Sequence, residues 1–178
     1  MVKQNSVKNL AFSALCLALG ILLPQAFMRD PSLGQVFLPM HLPVLLCGLI
    51  CGWQYGGVCG AAVPILCSLL FSRPSMYPMA VAMMFELCAY GFLSGLLFKK
   101  FNVNISLVGA MLAGRAVYGV VNWMLLASAG KSFTLSMFMS NAFVIGLPGI
   151  AIQLAVIPLV VSALARAGLI SRKKAAHG

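Results

Sequence analysis

The chain has 178 residues, 62% of them hydrophobic and only 8% charged, with a formal net charge of +10. Soluble domains carry roughly 25% charged residues, so this composition excludes an ordinary water-soluble enzyme and points to membrane spans. Apolar stretches approaching the ~20 residues that cross about 30 Å of hydrocarbon leave no chain for a soluble nucleotide-binding module.

The pattern predicts one all-α integral membrane domain over 1–178, with six transmembrane helices at about 11–27, 36–51, 56–71, 78–98, 106–127 and 137–165. Lys3 and Lys8 precede the first apolar run. Five further spans and the lack of a clear small-residue cleavage site make it a retained helix rather than a signal peptide. Met28–Gln35, with Asp30-Pro31 and Gly34, is expected to turn outside. The second span is short and places His41 between Pro39 and Pro43 near its outer end. Gly52–Gly57 (GWQYGG) is expected as a tight inner turn into the third span. Ser72–Tyr77 is the next outer loop, its path set by Pro74 and Pro78, and Lys99–Asn104 is the inner link between the fourth and fifth spans. Gly130–Ser136 forms the last outer loop, and Pro148 is expected to bend or interrupt the sixth helix.

Charge placement gives the orientation. With the N-terminus inside, Lys3, Lys8, Lys99, Lys100, Arg166, Arg172, Lys173 and Lys174 lie on the inner side, against Arg29, Arg73 and Lys131 outside. Both termini are therefore expected in the cytoplasm. The basic residues read as topology signals and anionic-lipid contacts, and no nucleic-acid partner is expected.

Cys16, Cys47, Cys51, Cys59, Cys67 and Cys88 all lie in apolar segments, where free cysteine behaves as a small hydrophobe. Cys47 and Cys51 are one helical turn apart without a histidine or second pair to complete a metal site. No phosphate-cradling G-x-x-x-x-G-K-[ST], H-E-x-x-H or G-x-S-x-G pattern occurs, and with two acidic residues in the chain no cofactor or metal is expected.

Two charges stand inside apolar spans: Glu86 in the fourth and Arg115 in the fifth. Ionisable groups at membrane depth cost a few kcal/mol or more and usually face a protein interior or a solute pathway. Arg115, Tyr118, Gly119 and Asn122 share one helical face, as do Glu86, Tyr90 and Ser94, while Gly146, Gly149 and Gln153 form a stripe on the sixth helix. Counted inward from Pro78, Glu86 lies roughly 12 Å deep. Glu86, Tyr90, Arg115, Tyr118, Asn122, Trp123, His41 and Gln153 are the candidate substrate-binding residues. Each has a plainer role open to it. Glu86 and Arg115 form a pair that locks two helices, or Arg115 turns its planar donor fork to a carboxylate or phosphate on a ligand. His41 is an interfacial hydrogen-bonded histidine or a ligand contact; Trp123 and Tyr77 are aromatic-belt anchors or contact surfaces for a ligand.

Small residues four apart at Ala14/Ala18, Gly48/Gly52, Gly56/Gly60, Gly91/Gly95 and Ala110/Gly114 suit close helix packing in lipid. Ala11-Phe-Ser-Ala14-Leu-Cys-Leu-Ala18-Leu-Gly20 and Phe37-Leu-Pro-Met-His41-Leu-Pro-Val-Leu-Leu-Cys-Gly48 stand out as motifs. So do Met84-Phe-Glu86-Leu-Cys-Ala-Tyr90-Gly91 and Gly114-Arg115-Ala-Val-Tyr118-Gly119. Together with six spans and this charge layout, the chain resembles, from about Ser6 to Arg166, the substrate-binding S components of energy-coupling factor (ECF) transporters, prokaryotic vitamin importers. The resemblance implies a six-helix, riboflavin-transporter-like bundle in the plasma membrane that binds one small vitamin-like molecule near its outer side. It also implies partners, a transmembrane coupling protein and two ATPase subunits that carry the ATP hydrolysis, with Ala14 and Ala18 as the docking stripe. The chain looks somewhat like members assigned to pantothenate, whose carboxylate, hydroxyl and amide groups suit an Arg/Tyr/Asn face; pyridoxine, thiamine precursors and queuosine precursors stay open. A cell-shape scaffold without a ligand, and an intramembrane enzyme using His41 and Glu86, are the competing classes.

Overall fold

The computed structural model describes residues 3–27, 37–128 and 146–168, and all regular structure among them is helical. Helix α1 runs Lys3–Leu22 and passes into a 3-10 turn, Leu23–Phe27, where Pro24 removes a backbone donor. Then come α2 (His41–Cys51), α3 (Trp53–Phe71), an irregular turn Met76–Ala80, α4 (Val81–Leu97), α5 (Val103–Ser128) and α6 (Leu147–Arg166). In the irregular turn Tyr77 is extended (φ −123°, ψ 135°), as the residue before a proline prefers.

The bundle is built around α4, which packs on α2, α3 and α5; α1 lies against α2 and α3, and α6 against α2 and α5. Polarity is arranged inside out. Val58, Leu69, Leu70, Phe85, Leu112, Val120 and Leu159 are exposed, whereas Glu86, Ser94, Arg115 and Gln153 are buried. That is the arrangement of a protein whose solvent is lipid. Five stretches, Val7–Ala26, Trp53–Phe71, Met76–Leu97, Val103–Ser128 and Leu147–Arg166, are long and apolar enough to cross a membrane. Helix α2, with 11 residues, covers only ~16 Å, about half the hydrocarbon.

Glycines set the closest contacts. A Cβ on Gly91 would run into the backbone of Gly56, so α3 and α4 touch backbone to backbone where the small-residue spacing predicts it. Ala14 and Ala18 are different: both are exposed, on the outer face of α1.

The turn between α2 and α3, expected as an inner turn over Gly52–Gly57, is shorter than that. Gly52 alone, at φ 102°, reverses the chain, and Trp53–Gly57 is already helix. Pro148 does not break a helix within the described residues. It sits in the first turn of α6, where its missing N–H has no carbonyl to serve. Met28–Gln35, Gly130–Ser136 and the expected start of the sixth span at 137–145 lie outside the described residues.

Candidate functional site

Helix lengths bring three polar residues to one level. α4 and α5 are joined by the short link Phe98–Asn102 and so run antiparallel. Counting from that link at ~1.5 Å per residue, Glu86 and Arg115 are each roughly 17 Å into their helices. His41, the first residue of α2, stands ~15 Å from that helix's far end at Cys51, which abuts the same end of the bundle through Trp53 and Gly95.

At that level the side chains meet. Arg115 Nη1 lies 3.0 Å from Glu86 Oε1. The Tyr90 hydroxyl donates to the same oxygen at 3.0 Å, one turn along α4. His41 Nε2 is 3.6 Å from it, and the His41 and Tyr90 rings are 5.2 Å apart between centroids, tilted by 58°. None of the four is more than 6% exposed. Gly114 makes room for this arrangement, because a Cβ there would strike the Tyr90 ring.

The cluster is not saturated. Arg115 Nε and both ring nitrogens of His41 are buried and have no hydrogen-bond partner among the described residues. A buried polar group left unpaired costs about 1–3 kcal/mol, and with His41 Nε2 already facing Glu86 Oε1 at 3.6 Å the unspent hydrogen-bonding capacity is that of Arg115 Nε and His41 Nδ1. Glu86 Oε1, by contrast, is held by Arg115 and Tyr90, which leaves it poorly placed as a general base for His41.

The other sequence candidates fall around this centre. Asn122 is buried two turns beyond Arg115 on the same helix, and Tyr118, between them, is partly buried. Gln153 is buried on α6 and its Nε2 donates to the Leu38 carbonyl at 3.4 Å. That carbonyl also accepts the His41 N–H at 3.1 Å, so Gln153 reaches the turn that delivers His41 rather than the ion pair. Trp123 is 58% exposed. Tyr77 donates its hydroxyl to the Leu125 carbonyl at 3.0 Å, tying the irregular turn to the end of α5. Leu38, with φ 49°, is a site element that carries no sequence signal, since a leucine seldom enters the left-handed region. Among the described residues no group of three or more metal-ligating side chains stands together.

The chain matches the family model of the ECF transporter, substrate-specific component, over residues 8–170. No curated protein and no solved structure matches it. The match spans nearly the whole chain, and the chain belongs to the family of ECF transporter substrate-specific components. It is thus a multi-pass membrane protein of the substrate-capture kind, a binding subunit and not a catalytic one.

Proposed function

We propose that this substrate-specific component captures a small, water-soluble, vitamin-like molecule at the Glu86–Arg115–Tyr90–His41 cluster and delivers it inward with an ATP-driven coupling module. The observation that carries the reading is the buried, unspent hydrogen-bonding capacity of Arg115 Nε and His41 Nδ1, at the level where three helices meet. In a membrane protein such groups are retained when a polar solute completes them. Asn122, Tyr118 and Gln153 extend the polar lining, and Trp123 serves as an interfacial anchor on the outer side.

In this reading the bundle has six membrane-embedded helices, α2 being the short one, with both termini in the cytoplasm of a prokaryotic cell. By the positive-inside rule, Lys8, Lys99, Lys100 and Arg166 support that orientation. Partners are a transmembrane coupling protein and two ATPase subunits. The exposure of Ala14 and Ala18 on a helix that, among the described residues, packs on α2 and α3 through its other face supports their role as the docking stripe, because small residues let a second helix approach closely and reversibly. Pantothenate is the substrate the resemblance favours, yet the engagement of Arg115 by Glu86 speaks against a carboxylate ligand.

The test is reconstitution. Purified chain should show saturable thermal stabilisation by a member of a vitamin panel, and proteoliposomes should take up that member only with ATP and the coupling subunits. Absence of stabilisation across the panel removes the reading.

A further inference from the structure

Among the described residues the permanent charges inside the bundle are already balanced, and this restricts what the site accepts. Between the ends of α2, α3, α4, α5 and α6 the sequence places one acid, Glu86, and one permanent base, Arg115. They are joined through Nη1 and Oε1 at 3.0 Å, and Tyr90 donates to the same oxygen. The pair sums to zero. A ligand carboxylate would bring an uncompensated negative charge to membrane depth. Drawing Arg115 away to meet it would strand Glu86 instead, and a buried charge that loses its partner is strongly destabilising. An uncharged ligand requires neither change.

The groups left over also have a definite chemistry. Arg115 Nε is a donor, and His41, whose Nε2 faces Glu86 Oε1 at 3.6 Å, offers its Nδ1. On the capture reading above, we infer that the substrate is a polar molecule without net charge. It carries a carbonyl or ring-nitrogen acceptor for Arg115 Nε and a neighbouring donor or acceptor for His41, and it is neither a carboxylate nor a phosphate. Glu86 is then a specificity-determining residue, because its carboxylate cancels the charge by which Arg115 would select an anion.

Matched probes isolate the charge. Titration calorimetry on the purified full-length protein would compare pantothenol with pantothenate, nicotinamide with nicotinate, and biotinamide with biotin, alongside riboflavin and pyridoxine as further uncharged probes. The uncharged member of any pair that binds should do so at least about tenfold more tightly than its acid. Glu86→Gln, which frees the Arg115 charge, should shrink or invert that preference. The wild-type comparison decides the matter even if the variant fails to fold. A carboxylate that binds more tightly than its uncharged counterpart overturns the inference and leaves solute capture standing. No saturable heat from any probe takes down the capture reading and this inference with it.

Discussion

Gln153 on α6 and Leu38 ahead of α2 are linked by a side-chain-to-backbone hydrogen bond of 3.4 Å across 115 positions of sequence. Leu38 holds φ 49°, a conformation that costs an L-residue of this kind on the order of 1–3 kcal/mol. The strained residue turns its carbonyl to serve both the His41 N–H and the Gln153 amide. The last helix is thereby coupled to the turn that positions His41.

Gln153→Leu keeps the side-chain volume and removes that bond. A net hydrogen bond is worth about 1 kcal/mol, so ligand affinity should fall by about fivefold without loss of folded protein. Titration of the variant checks this, and unchanged affinity would mean that α6 is a bystander.

The Glu86–Arg115 pair should behave as a coupled unit. Arg115→Gln leaves a buried carboxylate without its permanent counter-charge, beside only the Tyr90 hydroxyl and the His41 ring, and should destabilise the protein by about 3–5 kcal/mol. The double variant Glu86→Gln/Arg115→Gln should recover at least half of that loss. Unfolding in mixed micelles measures the cycle; strictly additive losses would show that the two side chains are energetically independent.

Gly114 is the third point of sensitivity. Gly114→Ala drives a methyl group into the Tyr90 ring and should cost about 1–3 kcal/mol, with weakened ligand binding. Gly57→Ala is the control, since its Cβ would meet only Phe92 and Cys88 at 3.7 Å and beyond. Equal stability of the two variants would contradict the tight Tyr90–Gly114 contact.

The docking stripe separates capture from transport. Ala14→Phe/Ala18→Phe should leave ligand affinity within about twofold and reduce ATP-driven uptake by about tenfold or more, because bulky rings hold a partner helix off. Uptake at the wild-type rate would remove Ala14 and Ala18 from the interface.

Much of this was legible in the residues. Apolar run lengths and the scarcity of charge marked a helical membrane bundle, and 3.6-residue spacing put Glu86 with Tyr90 and Arg115 with Asn122 on shared faces, all four of which are buried. Periodicity assigns a face but not a partner. The convergence of Arg115, Tyr90 and His41 on one oxygen of Glu86 depends on helix lengths measured from the Phe98–Asn102 link and on the single-residue Gly52 turn. Gly52–Gly57 read as a loop because glycine lowers helix propensity, yet in a packed bundle Gly56 is where the backbone of α4 comes close. The left-handed Leu38 had no local cue at all.

The most direct measurement is mass spectrometry of the small molecule that co-purifies with the chain in mild detergent, for the wild type and for His41→Ala. One polar molecule per chain in the wild type, depleted in a His41→Ala protein that remains folded, is the predicted result. Equal content in both proteins, or a wild type that carries nothing and binds no vitamin added to it, would contradict a solute site at this cluster.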